Sequence, residues 1–349
     1  MVKRLVKKIK KTDVEAEKLA ASRITNETVA EHREQILAGG RKFKYPLQYE
    51  RHRLLINSII VFIVALILAV VVLWWQLYLA QNTSNFFYRT TQLVPLSVAT
   101  VDKQPVPFSD YLMEYRSSIH WLQQKSRGFS NNSEDSKRQS EHFKRQSLNK
   151  AIQSAYAQKL ADEKGITVTD KDIDDFIDKT IKNSSSRNLS RASYEAVLSD
   201  SYGVSPEEYR SIVRHAILKQ KVSFAIDESA KQKANKALAE LTAGKTFDEV
   251  VLSYSDDPLA KATKGDVGFV AKTNQDQGLA EAASKLQVNQ VSTVIKGTDG
   301  YYIVKLLETN ADQVRYAMIK IDLEEFDKSL NQLKRDGKVD EYIRVGKDA

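Results

Sequence analysis

The stretch GTDGYYIVKLL, residues 297–307, decides how the second half of this chain is read. A Gly-Thr-Asp-Gly turn feeds an apolar strand. Tyr302, Val304 and Leu306 share one face of it, and Tyr301, Ile303, Lys305 and Leu307 share the other. Tyr302 then either packs a sheet or stands where a reactive side chain could be placed, and its neighbours in sequence bear on the choice.

Working outward, a turn at Asn310-Ala311-Asp312 leads into VRYAMIKIDL (314–323), a second strand-like run suited to pair antiparallel with 301–307. A helix with Phe326, Leu330 and Leu333 on one side follows it. Upstream, AKQKANKALAELTAGKTFDEV (230–250) reads as a helix carrying Ala234, Leu238 and Leu241, stopped at Gly244 and resumed through Phe247, Val250 and Val251. Gly265 and Gly268 bracket the start of another strand, and AEAASKLQVNQVS (280–292) adds a short helix before the opening turn.

Further upstream the pattern is helical. The segment VATVDKQPVPFSDYL (98–112) is a short alternating strand and turn leading to a Ser109 cap, after which Leu112, Tyr115, Ile119 and Leu122 form one apolar stripe. SRGFSNNSEDSKRQS (126–140) interrupts the periodicity and reads as a loop. Phe143, Leu148, Ile152, Ala155 and Leu160 mark a longer helix ended by Gly165, and Thr169 caps one with Ile173, Phe176, Ile177 and Ile181 on its apolar face. After NSSSRNLS, a short helix through Tyr194, Val197 and Leu198 closes near Gly203. In the next helix, Ser205 at the cap, Pro206 at the first helical position and Glu208 form a capping box.

From Leu54 to Tyr88 no charged residue occurs, and LLINSIIVFIVALILAVVVLWW (54–75) supplies enough apolar length to cross a ~30 Å hydrocarbon layer. Trp74, Trp75 and Tyr78 gather at its far end, as aromatic belts do. Arg41, Lys42, Lys44, Arg51 and Arg53 crowd the near flank while Arg89 alone follows the far one. This bias predicts an uncleaved single-pass anchor with the N-terminus cytoplasmic. Ahead of it, TNETVAEHREQILAGG (25–40) is expected as a short surface helix stopped by Gly39-Gly40.

Charge is uneven along the chain. The net charge is +8, and residues 1–53 hold 14 Lys/Arg against 7 Asp/Glu, leaving 39 basic and 38 acidic residues for the remainder. The bulk is balanced, which argues against a general nucleic-acid partner. No cysteine is present, so disulfides, thiolate nucleophiles and zinc–thiolate sites are excluded. The five histidines end at His215, and His120, His142 and His215 lack metal-ligand spacing; no metal or cofactor is expected.

Two resemblances rest on these motifs. The ordered set VATVDKQPVPFSDYL, KLADEKGITVTDKDIDDFI (159–177) and YGVSPEEYRSIVRHAILKQKV (202–222) resembles the N-terminal chaperone module of the SurA family and its membrane-anchored relatives. The set AELTAGKTFDEV, YSDDP (254–258), KGDVGF (264–269), AEAASKLQVNQVS and GYYIVKL resembles a parvulin-type peptidyl-prolyl isomerase domain of the PpiC kind.

These resemblances imply a single transmembrane helix, an all-α SurA-like module and an α+β parvulin-like domain with a small antiparallel sheet flanked by helices. The expected bounds are a cytoplasmic basic arm over 1–53, the anchor over 54–79, the helical module over 94–228, the parvulin-like domain over 229–322, and a C-terminal helix and tail over 323–349.

Parvulins are thought to use two histidines on adjacent strands, a Cys or Asp beside them, and a Met/Phe pocket for the proline ring. By resemblance Asp257 stands at the Cys/Asp place and Tyr302 at the second histidine's. Gln275, Leu279 and Phe269 stand in a degenerate proline pocket. No histidine lies before the Ala234 helix either, where the chain reads VSFAIDESAKQ (222–232). VRYAMIKIDL is similar to the parvulin strand that bears the first histidine, with Ala317-Met318 in its place. It either fills that sheet position, giving a permuted sheet, or adds an edge strand.

The implied function is a membrane-anchored extracytoplasmic chaperone that binds unfolded or newly exported polypeptides and touches the bilayer through 54–79. Its isomerase activity is expected to be weak or absent. An active isomerase and a non-catalytic scaffold for one envelope partner are the alternatives.

Overall fold

The computed structural model describes residues 26–125, 133–184 and 189–346, with the backbone alone for 40–51 and 183–184. The basic arm before residue 26 lies outside the described residues, as do parts of the two expected loops, 126–132 and 185–188. Contacts divide the chain into two units, residues 1–74 and 75–349.

In the first unit one helix, α1 (Asn26–Trp74), runs unbroken. The expected stop at Gly39-Gly40 is therefore overturned. An interior glycine costs a helix about 1 kcal/mol relative to alanine, which weakens it without ending it, and no proline or competing cap follows directly. His52–Leu79 is long and apolar enough to cross a membrane, and none of its most apolar window is buried in the protein.

The second unit opens on a π-helical turn, Trp75–Leu79, whose Leu77 is fully buried. The Tyr78 hydroxyl donates to the Ser97 carbonyl at 2.7 Å, and its ring meets Phe108 edge-on. The last turn of the apolar run thus belongs to a protein core. Helix α2 (Asn85–Leu93) follows, then the hairpin β1 (Ser97–Val101) and β2 (Gln104–Pro107), which turns through Asp102 and Lys103, both at positive φ.

The helical module continues with α3 (Phe108–Lys125), α4 (Glu134–Lys164), α5 (Asp170–Ser184), α6 (Arg191–Tyr202) and α7 (Pro206–Ile226). Most of the expected apolar stripes are buried: Leu112, Tyr115 and Leu122 on α3, Leu148, Ile152 and Ala155 on α4, and Ile173 and Ile177 on α5, whereas Phe176, expected on the same face of α5, is exposed. Gly165 and Gly203 end α4 and α6 in the left-handed conformation, and the Ser205/Glu208 capping box is formed.

The α+β domain comprises α8 (Glu228–Thr242), α9 (Phe247–Tyr254), α10 (Pro258–Thr263), β3 (Asp266–Ala271), α11 (Leu279–Ser284), β4 (Ile295–Lys296), β5 (Gly300–Thr309) and β6 (Gln313–Asp322). Its sheet is antiparallel with strand order β3-β6-β5-β4. Tyr301, Ile303, Ala317, Ile319 and Ile321 pack on α8 and α9, and Tyr302, Val304, Leu306, Val314 and Tyr316 pack on α11. Full burial of each such aliphatic side chain favours folding by roughly 1.5–3 kcal/mol, which is why both faces need a helical cover.

Of the two sequence readings of 314–323, the interior one holds: β6 lies between β3 and β5 rather than at an edge. The segment 222–226, where a parvulin's first strand is expected, is instead the last turn of α7.

The chain then returns to the helical module. In α12 (Glu325–Arg335), Phe326 packs its ring on Tyr156 of α4 at 5.2 Å. Strand β7 (Val339–Glu341) pairs antiparallel with β1, completing a sheet of order β2-β1-β7. Arg145 of α4 binds both Glu341 carboxylate oxygens at 2.7 and 2.9 Å and donates to the carbonyls of Val345 and Gly346. The α+β domain is in this sense an insertion between two parts of one helical module.

Candidate functional site

Antiparallel pairing sets Tyr302 opposite Lys320, Val304 opposite Met318 and Leu306 opposite Tyr316. These six side chains share the sheet face under α11, so both places at which a parvulin is expected to hold histidine, Tyr302 and Met318, lie on one surface.

The polar groups there bind one another. The buried Tyr302 hydroxyl donates to Asp299 Oδ1 at 2.7 Å, and Gln277 Nε2 lies 3.3 Å from that hydroxyl and 3.2 Å from the same carboxylate. Lys320 Nζ sits 2.9 Å from Asp299 Oδ2 and 2.9 Å from Asp322 Oδ1. Beside this group the Tyr316 hydroxyl donates to Asp276 at 2.7 Å, and Asp276 also accepts from the Ala280 N–H.

The electrostatics follow from these contacts. Burial, reinforced by the Asp299 hydrogen bond, pushes the Tyr302 phenol well above its ordinary value. Burial alone would raise Asp299, but Lys320, Tyr302 and Gln277 outweigh it and hold the carboxyl below its usual range. Burial likewise works against the Lys320 charge, and the carboxylates of Asp299 and Asp322 more than restore it. The result is a neutral phenol, a carboxylate and an ammonium, each already partnered; a phenol held protonated offers no base. Gly297 leaves no spare room, since a Cβ there would come within 2.5 Å of both Gln277 Oε1 and the Tyr302 ring.

Of the residues singled out in the sequence, the fold brings Tyr302 and Leu279 into one cluster, with Leu279, the first residue of α11, buried against the sheet. Gln275 lies exposed in the loop before that helix. Phe269 is not brought to them: its neighbour Val270 faces the α11 cluster, so Phe269 points to the opposite side of β3, where it is 47% exposed. Asp257 is the N-cap of α10, its Oδ1 accepting from the Leu259 N–H at 2.8 Å. Asp276, Gln277, Asp299 and Lys320 were missed in the sequence. The available signal was Asp299 beside Tyr302 in the turn, but Lys320 becomes its partner only through the β5–β6 register.

Two other surfaces stand out in the helical module. Phe176, Val197 and Tyr202 remain partly or largely exposed on α5 and α6, and α6 buries none of its residues. Between α3 and α4 lies a cavity of about 560 Å³ whose lining includes Arg116, His120, Lys137, Glu141 and Lys144. Its polar walls do not suit an apolar peptide.

Residues 50–223 match the SurA-like N-terminal domain, and residues 215–308 match the PPIC-type PPIASE domain. The second match ends before β6. The foldase protein PrsA of Halalkalibacterium halodurans is 28% identical over 148 residues, covering 42% of this chain and 41% of that protein. The chaperone SurA of Methylococcus capsulatus is 32% identical over 106 residues, covering 30% of this chain and 23% of that protein. The crystal structure of PrsA from Bacillus subtilis aligns at 18% identity over 63% of this chain and 78% of that chain, with a TM-score of 0.19. The chain spans between about a quarter and just over half of the length of the curated relatives it matches. It thus joins a SurA-like N-terminal domain to a parvulin-type PPIC domain, and its relatives are PrsA foldases and SurA chaperones.

Proposed function

We propose that this protein is a membrane-anchored, extracytoplasmic chaperone whose parvulin-like domain serves as a folded platform with little or no isomerase activity. The observation that carries the reading is the closed hydrogen-bonded set Tyr302–Asp299–Lys320–Gln277 on the sheet face where a parvulin is expected to present its histidines. Catalysis of prolyl isomerisation needs an apolar seat for the ring and groups free to respond as the amide twists over a barrier of ~18–20 kcal/mol. Here the polar groups are engaged with each other, Gln275 is an exposed amide, and Asp257 caps a helix.

Client binding is assigned to the helical module, with Phe176, Val197 and Tyr202 as its exposed apolar contacts. The apolar run from Leu54 to Trp74 crosses the bilayer, and the basic flank before Leu54 holds the N-terminus in the cytoplasm. Anchoring raises the local concentration of the module where exported chains emerge.

The test uses the full chain in nanodiscs with two assays run together: suppression of aggregation of a chemically unfolded client, and a proline-limited refolding reaction. Suppression without acceleration of refolding is the expected result. Acceleration well above background that disappears in Asp257→Ala would replace this reading with an active isomerase.

A further inference from the structure

Helix α2 begins six residues after the apolar run ends at Leu79 and presents two different faces. One is fixed to the module: Tyr88 and Thr91 are buried, Arg116 of α3 lies 4.5 Å from the Tyr88 ring centre, and Gln92 donates to the Tyr88 hydroxyl. The other carries Phe86, 70% exposed, and Leu93, 85% exposed, one helical repeat of seven residues apart, with the exposed Arg89 between them. Val94, directly after the helix, is exposed as well.

A phenylalanine and a leucine displayed on one helix face beside an arginine form the pattern of a helix that lies in a lipid–water interface. The position in the chain agrees with it. Trp75 to Leu79 belong to the same unit as α2, with Leu77 buried in its core and the Tyr78 hydroxyl bonded to the Ser97 carbonyl. Phe86 follows Leu79 by seven residues, a contour of at most ~25 Å. Trp74 and Trp75, both about half exposed, mark the headgroup level at the start of that path.

We infer that α2 rests on the outer surface of the bilayer that the apolar run crosses, with Phe86 and Leu93 inserted at the boundary between headgroups and acyl chains and Arg89 reaching the phosphates. The inference depends on the apolar run from Leu54 being the anchor. It adds a lipid contact through this one helix face to that of the apolar run.

Because the chain has no cysteine, single labels are clean. Nitroxides are attached to the full chain in nanodiscs at Phe86→Cys and Leu93→Cys, with Leu66→Cys as the lipid reference and Asp312→Cys, on the exposed β5–β6 turn, as the aqueous reference. Collision with oxygen relative to an aqueous nickel chelate should be severalfold higher at 86 and 93 than at 312, approaching the value at 66.

If 86 and 93 match 312 while 66 reads as lipid, the anchor stands and α2 does not touch the bilayer. If 66 also reads as aqueous, the anchor fails and the seating fails with it. Labels at 86 and 93 that are aqueous alone but become shielded when an unfolded polypeptide is added would make α2 a client surface and overturn the inference equally.

Discussion

Asp227, 2% exposed, joins two parts of the molecule through one carboxylate. Its Oδ1 accepts from the Ala230 N–H and the Ser229 hydroxyl at 2.9 Å, capping α8 at the entry to the α+β domain. Its Oδ2 accepts from the N–H groups of Glu324 and Glu325 at 2.8 and 3.0 Å, capping α12 where the chain returns to the helical module. Asp227→Ala leaves three backbone N–H groups without this acceptor. Two lost caps at about 1 kcal/mol each, plus the cost of buried unpaired donors, predict about 3 kcal/mol of local destabilisation. That corresponds to roughly a hundredfold rise in local opening.

Hydrogen–deuterium exchange on the full chain in nanodiscs reads this directly, and the first turns of α8 and α12 should lose protection together. Acidity supplies a second reading of the same group. Burial alone would raise the Asp227 carboxyl, but the N–H groups of Ala230, Glu325 and Glu324 and the Ser229 hydroxyl hold it below its ordinary value. A depressed folded value means that its stabilisation is fully present above the unfolded value of about 4 and is lost as pH falls through the folded one. Asp227→Asn should therefore open more than wild type at neutral pH and converge with it in acid. Unchanged exchange in both segments of Asp227→Ala would refute the shared-cap reasoning.

Gly300→Ala places a Cβ 2.3 Å from the Ile321 carbonyl oxygen, so it should part the β5–β6 ladder and lower the unfolding temperature of the α+β domain in calorimetry. Arg145→Met removes the paired bonds to Glu341 and the two carbonyl contacts, and limited proteolysis should then release the C-terminal strand faster than in wild type while the α+β domain stays resistant. Protease added to intact spheroplasts should digest the chain beyond about residue 90, as the flanking charges require; protection of that segment would reverse the topology. Tyr302→Phe keeps the ring in its apolar cluster but leaves Asp299 and Gln277 without the hydroxyl, and a fall in stability with no change in client protection is expected.

Much of this molecule was decided locally and is legible in the residue order. A sustained apolar run predicts a membrane-spanning length, because periodicity and charge are properties of contiguous residues. The Ser205/Pro206/Glu208 signal starts α7 and glycines end α4 and α6, because capping involves atoms within a turn of each other. The alternation in 301–307 predicts which side chains share a face, and those faces are the two cores of the sheet. The Gly39-Gly40 stop failed where a local preference of about 1 kcal/mol did not end a long helix.

What only the tertiary structure decided is which distant segments meet. That β6 is interior, that the place of a parvulin's first strand is a helix turn, and that β7 pairs with β1 across more than two hundred residues all depend on strand pairing, which no single segment encodes. The same holds for the site. Tyr302 alone is ambiguous, and it becomes a packed, hydrogen-bonded member of a closed set only because the β5–β6 register sets Lys320 opposite it and α11 brings Leu279 over it. A side chain's chemistry is intrinsic; its partners, and hence whether it is free to react, are a property of the fold.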